Sequence, residues 1–415
     1  MHLFILLKDF FEDIKAQKTR AFLTTIAVTW GTLTLILLMA FGAGLSFRMK
    51  EGLLNAGDRV IFVYNGQTSK KFDGLPIGRN IRMVEDDCRI LKESIPMIAG
   101  ISPQYGRWGA RLRYGNNSAT TYMEGVYPSF EFLRRMYPAA GGRFLNEKDL
   151  SEKKRVVFLG SVIAQELVGR EDPIGKMIMI DGVPFTIVGI MPKKLQTAMN
   201  NGPDDRRAVI PFSTFESIYG NRYLGHIVIK PNNDQNSQMV VEEVRRVLGK
   251  KYKFDPTDEN ALRIWDFNEA IKIQNKVSLG INIFLAVVGA MTLVIAGVGI
   301  ANIMYVVVKE RTREIGIKRA VGAKRREIVF QFIIESVLIA IVGGLIGLTI
   351  ALAIVKFVWM IPADNGAMQF LGRPLLSSGV VLTTIGVLTT IGVLAGLFPA
   401  RKAAKVDPVE ALRYE

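Results

Sequence analysis

Four long apolar segments constrain this chain more than any other feature of its sequence. They cover residues 21–46, 277–308, 328–361 and 378–400, and none carries a charge at its centre. A bilayer core about 30 Å thick requires about 20 apolar helical residues. Segments of this length therefore predict four transmembrane helices. A hydrophobic fraction of 49% and a mean hydropathy of +0.24 are also too apolar for an ordinary soluble enzyme.

The first apolar segment could be a secretory signal, because the small residues Ala40, Gly42 and Ala43 lie at its end. Its apolar core of about 20 residues exceeds the usual signal core of about 7 to 15. We therefore interpret it as an uncleaved anchor.

The basic residues crowd at the ends of the apolar segments, within a net charge of +15. Lys and Arg are retained on the cytoplasmic side of membrane segments, so this pattern indicates orientation and argues against nucleic acid binding. Both termini are expected in the cytoplasm. The basic groups are Lys8, Lys15, Lys18 and Arg20; then Lys309, Arg311, Arg313, Lys318, Arg319, Lys324, Arg325 and Arg326; then Arg401, Lys402 and Lys405.

The same orientation sets the expected place of the remaining segments. The large region 47–276 and the short loop 362–377 are extracytoplasmic, whereas the loop 309–327 and the tail 401–415 are cytoplasmic. In residues 1–20, Phe4, Leu7, Phe11 and Ile14 share one helical face, which suits an interfacial helix. An amphipathic helix packed on protein is the alternative.

The region 47–276 has the mixed character of an α+β domain. Turn signals such as Asp181-Gly182 separate short strand-like runs, and a few helical patterns lie between them. We expect two lobes, with residues 98–136 as an inserted second lobe. The predicted strands are 59–64, 156–159, 177–180, 185–190, 208–210 and 226–229, and the predicted helices are 84–94, 161–167 and 238–248.

The second and third apolar segments are longer than a bilayer requires. We expect the second to continue upstream of residue 277 as a stalk. Small residues four apart allow helix backbones to approach closely in lipid, although glycine is also simply common in membrane helices. The glycines at this spacing are Gly343, Gly347, Gly392 and Gly396.

Familiar catalytic motifs are missing from the sequence. Residues 169–176 read GREDPIGK, but five residues separate the glycines and Met177 replaces the Ser or Thr of a phosphate-binding loop. His226 is interpreted as a structural residue rather than a base. The single cysteine, Cys88, and two histidines make a clustered zinc site improbable. We predict a non-catalytic chain that itself holds no cofactor or metal.

Glu335 is the notable ionisable residue inside an apolar segment. Such residues default to functional hypotheses, including proton relays. A proton relay needs several ionisable groups, and this acid has no partner in the other apolar segments. We therefore favour a role in helix packing or at an interface.

The basic loop at 309–327 is the most informative motif. Ile315, Ile317 and Ala320 form an apolar patch among charges, and Gly322 provides a helix-ending break. This pattern predicts a short rigid helix that acts as a lever. A simple charge-retention loop would explain the basic residues but not the ordered apolar ones.

This loop and several other motifs resemble those of the MacB and FtsX type of ABC transporter permease. The loop block comprises Arg313 to Gly316, Arg319-Ala320, Gly322-Ala323, Arg325-Arg326 and Ile328. The terminal block comprises Pro399-Ala400-Arg401-Lys402-Ala403-Ala404 and Asp407-Pro408-Val409-Glu410-Ala411-Leu412. In the large region the motifs are Gly142-Arg143-Phe144, Asp149-Leu150, residues 157–160, Asp172-Pro173-Ile174-Gly175-Lys176 and residues 185–189.

The resemblance implies an inner-membrane permease dimer, homodimeric or heterodimeric, with an ATPase subunit on a separate chain that binds ATP and magnesium. It further implies that ATP hydrolysis moves the extracytoplasmic domain without cargo crossing the bilayer. A periplasmic adaptor and an outer-membrane channel are compatible partners. The implied ATPase-coupling residues are Arg313, Glu314, Ile315, Gly316, Arg319, Ala320, Gly322 and Ala323.

Several functions fit this architecture. The leading hypothesis is a MacB-type efflux or extrusion permease that takes cargo from the periplasmic side. The alternatives are a lipoprotein-release permease and an FtsX-like transmembrane regulator of a cell-wall hydrolase. A membrane-anchored enzyme is a more distant possibility. The motifs identify the superfamily but not a substrate.

Overall fold

A computed structural model describes residues 18–57, 59–196, 199–362 and 371–406 of the chain. The chain divides into two compact units, which we call the helical unit (Met1–Arg48 with Lys276–Glu415) and the α/β domain (Met49–Asn275). The first 17 residues of the predicted interfacial helix, and the terminal motif from Asp407 onward, lie outside the described residues.

Four of the described helices are long and apolar enough to cross a membrane: α1, α8, α10 and α11. Only 28% to 39% of the apolar window of each is buried within the chain, so most of this apolar surface requires lipid or a further membrane protein. The helices in chain order are α1 (Lys18–Ala56), α2 (Asp86–Ser94), α3 (Phe130–Leu133), α4 (Glu147–Ser151), α5 (Ser161–Val168), α6 (Phe212–Tyr219), α7 (Ser237–Tyr252), α8 (Phe267–Glu310), α9 (Thr312–Ala320), α10 (Arg325–Met360) and α11 (Ser378–Ala403).

Helix α8 is longer than a membrane crossing. It contains 44 residues and begins at Phe267, well upstream of the predicted span. At about 1.5 Å per residue it is about 66 Å long, roughly twice the thickness of a bilayer core. The prediction that this helix continues upstream of residue 277 is confirmed.

Close backbone contacts hold the helical unit together. The Thr29 hydroxyl donates a hydrogen bond of 3.1 Å to the Gly343 carbonyl, and the Ser336 hydroxyl donates one of 2.9 Å to the Gly392 carbonyl. A Cβ atom on Gly343 would lie 2.8 Å from the Val28 Cβ, which is closer than packing tolerates. The close approach predicted for the glycines at four-residue spacing is confirmed at Gly343, Gly347, Gly392 and Gly396.

The α/β domain is built on one nine-stranded sheet with the order β3-β7-β4-β6-β5-β2-β8-β1-β9. Alternating buried and half-buried residues along β6 place one face of that strand in the core. The strands are β1 (Ile61–Asn65), β2 (Ile98–Tyr114), β3 (Asn117–Val126), β4 (Val156–Gly160), β5 (Met177–Ile180), β6 (Val183–Met191), β7 (Arg207–Pro211), β8 (His226–Pro231) and β9 (Leu262–Asp266).

The long strand β2 organises this sheet. Its first half pairs antiparallel with β8, and its second half pairs with both β3 and β5. Because β3 is also linked through β7, β4 and β6 to β5, these strands with β2 form a closed ring. An irregularity between Arg107 and Ala110, where Gly109 has φ +76°, bends β2 between the two halves.

The ring changes the interpretation of residues 98–136. The expectation of an inserted lobe there is wrong, because β2 and β3 belong to the same continuous sheet as the other strands. The two groups of strands are instead the ring and the extension formed by β8, β1 and β9, and they share β2. All of the predicted strands and helices of the domain are present, whereas β2, β3 and β9 were not predicted.

A cluster of buried charges lies inside the α/β domain. Arg134 pairs with Asp204 at 2.8 Å, Lys194 pairs with Asp204 at 2.8 Å, and Arg207 pairs with both Glu124 and Asp204. Burial acts to raise the pKa of Asp204, but the three neighbouring cations hold the pKa well below its usual range. Removing one member would leave a buried charge without compensation, which typically costs about 3 to 5 kcal/mol.

His226 lies beside this cluster and is buried. Its Nε2 atom is 3.4 Å from the Asn200 side-chain nitrogen, and its ring packs 4.9 Å from the Tyr64 ring. Burial, with the positive charges of Arg134 and Arg207, lowers the pKa of His226 to about 3. His226 is therefore neutral at physiological pH, in agreement with its interpretation as a structural residue.

We expect Gly396→Leu to lower the melting temperature of the detergent-solubilised chain, because its new side chain would collide with Ser336 and with the backbone of Ile333. Overpacking of this kind typically costs about 1 to 3 kcal/mol. Gly386→Leu on the same helix is the control, since open space surrounds that position. Equal melting temperatures for the two variants would contradict the packing.

Acid should destabilise the α/β domain through His226. Unfolded histidine binds a proton below about pH 6.5, whereas folded His226 stays neutral down to a pKa of about 3. Protonation between these values stabilises only the unfolded chain, so lowering the pH from 7 to 5 should cost about 2 kcal/mol. His226→Gln should remove this share of the pH dependence in urea unfolding. An identical pH dependence in both chains would contradict the buried neutral imidazole.

Candidate coupling site

Helix α9 is a separate short helix between two membrane-length helices. It ends in a compact turn, where the backbone N–H of Gly322 bonds to the Arg319 carbonyl at 3.1 Å and that of Ala323 bonds to the Lys318 carbonyl at 3.0 Å. Gly322 has φ +102°, a conformation that favours glycine. The predicted helix-ending role of Gly322 is confirmed. Gly322 and Ala323 themselves follow the helix rather than forming part of it.

The two faces of α9 differ sharply. Ile315 is only 3% exposed and Gly316 is also buried, so this face packs inward. On the opposite face Ile317 is 47% exposed and Val321, just past the helix, is 85% exposed. We call this the exposed α9 face. Its residues are Arg313, Glu314, Ile317, Ala320 and Val321.

An ionic network fixes α9 to α10. Arg311, at the start of the connection, pairs with Glu335 of α10 at 3.2 Å, and Gln331 donates a hydrogen bond to the same carboxylate at 3.1 Å. On α9, Lys318 pairs with Glu314 at 2.7 Å and reaches the Gln331 side chain at 3.5 Å. Both charges of the first pair are largely shielded, which strengthens their attraction.

This network gives Glu335 a partner that sequence reasoning missed. Arg311 lies outside the apolar segments, directly after the last residue of α8. A search for a partner within those segments therefore could not find it. Glu335 thus joins the end of α8 to α10. This arrangement agrees with a role in helix packing.

Arg319 connects α9 to the end of α11. Its Nη1 atom donates hydrogen bonds of 3.0 Å to the carbonyls of Ala404 and Val406. The last carbonyls of a helix have no partner within the helix and carry partial negative charge, so a guanidinium stabilises them. Arg319 therefore points toward another helix and contributes to the position of α9, not to its exposed face.

The predicted coupling residues that lie on α9 consequently fall into two groups. Arg313, Glu314 and Ala320 lie on the exposed α9 face, whereas Ile315, Gly316 and Arg319 hold the helix in place. Val321 was not predicted as a site residue. Its four-residue spacing from Ile317 could have identified it, because the two share one side of a helical turn.

The described part of the chain gives little support for a metal site or a phosphate-binding loop. No group of three or more His, Cys, Asp and Glu side chains there could hold a metal. In the segment 169–176, Gly169 ends helix α5 and Lys176 pairs with Glu171. A phosphate-binding loop would instead open a helix, so the rejection of that motif agrees with the structure.

Two family models match the chain. Residues 21–247 match the MacB-like periplasmic core domain, and residues 286–408, which include α9, match the FtsX-like permease C-terminal domain. The first match covers more than half of the chain. The chain belongs to the MacB and FtsX family of ABC transporter permeases.

Relatives of this family align along almost the whole chain. The macrolide export ATP-binding/permease protein MacB of Bdellovibrio bacteriovorus is 30% identical over 98% of this chain and 61% of its own length. The protein of the same name from Chlorobaculum tepidum is 32% identical over 98% of this chain and 60% of its own length. The chain thus spans about three fifths of these relatives.

Among solved structures, the periplasmic region of MacB from Actinobacillus actinomycetemcomitans is similar to part of this chain. It is 21% identical, with a TM-score of 0.43, and the alignment covers 55% of this chain and 96% of that one.

We expect Arg319→Gln to loosen the joint between α9 and α11. The variant loses the charge that stabilises the Ala404 and Val406 carbonyls, which should cost about 1 to 3 kcal/mol locally. Hydrogen exchange should become faster in α9 and in the last turn of α11. Arg313→Gln removes the same charge from the exposed α9 face and should leave those rates unchanged. Equal rates in the two variants would contradict the joint.

Proposed function

We propose that this chain is the permease subunit of a MacB-type ABC transporter in the bacterial inner membrane. ATP hydrolysis by an ATPase subunit would move the α/β domain and extrude a substrate from the periplasmic side. The observation that carries the proposal is the exposed α9 face, because it presents Ile317 and Val321 to solvent on a helix that is firmly held to its neighbours.

The exposed α9 face suits a protein partner. Exposed apolar side chains framed by charges form the usual core and rim of an interface. Here Ile317 and Val321 would fill a hollow on the ATPase, with Arg313 and Glu314 at the rim. ATP and magnesium would be bound by that subunit. That the ATPase is a separate chain remains a prediction.

The anchoring contacts would carry motion away from α9. A push on the exposed α9 face would reach α10 through Arg311 and Glu335, and α11 through Arg319. Discrete packed contacts of this kind transmit displacement better than a flexible loop. The long helix α8 begins at Phe267, which is fully buried in the core of the α/β domain.

The distribution of basic residues supports the proposed orientation. The segment between α8 and α10 contains a dense group of Lys and Arg, which favours the cytoplasmic side for α9 and, after one crossing, the periplasmic side for the α/β domain. Both termini would be cytoplasmic. Along α8, exposed residues such as Phe284, Met291 and Ile295 fit contact with lipid or with a second permease.

Efflux is favoured over the alternatives by the names of the relatives, which are macrolide export proteins. A periplasmic adaptor and an outer-membrane channel would then complete the export route. Lipoprotein release and control of a cell-wall hydrolase remain the alternatives. A complex that releases lipoprotein from vesicles, or that activates a hydrolase without changing drug accumulation, would decide for one of them.

We expect the double variant Ile317→Asp/Val321→Asp to reduce binding and stimulation of the ATPase by about tenfold or more, because buried unpaired carboxylates would replace apolar contacts. The measurement is ATP turnover and co-purification in nanodiscs that contain the permease and its ATPase. Met177→Asp/Met239→Asp is the control, since it adds the same charges to exposed apolar sites of the α/β domain. Unchanged turnover and co-purification in the α9 variant would overturn the proposed docking.

A further inference from the structure

A polar groove lies on the α/β domain where β1 ends and β9 begins. Its cavity volume is about 850 Å³, within the range of small-molecule sites. Asn65 and Arg263 contribute from the two strands, and Asn80, Arg82 and Tyr223 contribute from connecting segments. Most of the side chains that line the groove are polar, unlike those of a typical ligand pocket, which favours a polar ligand.

The groove has an unbalanced positive charge. Arg82 and Arg263 both line it, and no carboxylate does. Within the described residues neither guanidinium has a salt-bridge partner, in contrast to the arginines of the buried charge cluster. Arg82 instead lies over the Tyr223 ring at 5.2 Å, which holds its guanidinium in place.

Asp258, whose hydrogen-bond partner Ser69 lines the groove, is already occupied. Asp258 is 1% exposed and accepts hydrogen bonds from the Ser69 backbone N–H at 2.6 Å, the Ser69 hydroxyl at 2.7 Å and the Lys70 N–H at 3.0 Å. Burial acts to raise the pKa of Asp258, but these hydrogen bonds hold the pKa below its usual value. The Asp258 carboxylate therefore accepts hydrogen bonds from the backbone at the wall of the groove. It does not balance the positive charge of the two arginines.

The walls of the groove are fixed by the backbone. The Gln67 N–H bonds to the Asn260 carbonyl at 2.9 Å, and the Ile81 N–H bonds to the Gly66 carbonyl at 3.0 Å. Gly66 is pressed between these segments, since a Cβ there would lie 2.7 Å from the Ala261 carbonyl oxygen. A groove with such walls exists before a ligand arrives, which lowers the entropic cost of binding.

Unused hydrogen-bonding groups complete the site. Among the described residues the Asn80 side-chain amide and the Tyr223 hydroxyl have no hydrogen-bond partner, and Tyr223 is 40% exposed. An amide offers both donors and an acceptor, and a phenol offers one of each. These groups suit hydroxyl or amide substituents on the body of a ligand.

We propose that this groove binds a small polar molecule that carries an anionic oxygen group, a carboxylate or a phosphate. Arg82 and Arg263 hold the anionic group, because a guanidinium donates paired hydrogen bonds to such oxygens. Asn80 and Tyr223 bind the neutral hydroxyl-bearing or amide-bearing part. The inference does not depend on the proposed coupling by α9.

The test is calorimetric titration of the full chain in a nonionic detergent. Three probes share one sugar ring: glucuronate carries a carboxylate, glucose 6-phosphate carries a phosphate, and glucose is neutral. Binding of either anionic probe, at least tenfold tighter than that of glucose, is the expected result, and the better of the two identifies the preferred anion. Equal binding of glucose, or no binding of either anionic probe, would overturn the proposal.

Variants assign the binding to the groove. Arg82→Gln/Arg263→Gln should weaken binding of the anionic probe at least tenfold, and Arg82→Lys/Arg263→Lys should recover part of the loss. Arg113→Gln/Arg170→Gln is the control, because it removes the same charge from exposed positions outside the groove. Melting temperatures confirm that each variant is folded. An equal loss of affinity in the control variant would show that the probe is bound by general electrostatic attraction, and would reject the site.

Discussion

The polar contacts that hold α9 between α10 and α11 are the interactions on which the proposed mechanism depends. Arg319 satisfies the Ala404 and Val406 carbonyls beyond the end of α11, and Arg311 pairs with Glu335 inside the first turns of α10. A short helix without such contacts would move independently of its neighbours. With these contacts, a force applied to the exposed α9 face would also act on α10 and α11.

The rest of the helical unit extends this rigidity. Glycines and hydroxyl side chains allow α10 to approach both α1 and α11, with direct hydrogen bonds from Thr29 and Ser336 to helix carbonyls. The α/β domain achieves rigidity differently, through the closed ring around β2 and the buried cluster of Arg134, Asp204 and Arg207. Both units are therefore suited to move as bodies, which a transmission mechanism requires.

Local sequence patterns predicted the parts of this protein that local physics controls. The four membrane-length helices follow from apolar length, the break at Gly322 follows from its conformational freedom, and six strands follow from their apolar runs. Strands β2 and β3 were missed because arginines and polar residues interrupt their pattern, and their stability comes from cross-strand pairing. Residues 98–136 were consequently misread as an inserted lobe.

The sequence by itself determined the membrane class, the family and the position of the basic segment, because these depend on composition, length and contiguous motifs. Only the tertiary structure decided that Arg319 holds α11 while Ile317 and Val321 face outward, and that Arg82 and Arg263 share a groove without an acid. Arg319 and Ala404 are 85 positions apart in the chain. Contacts over such separations depend on how the helices and strands pack, which periodicity along the chain does not encode.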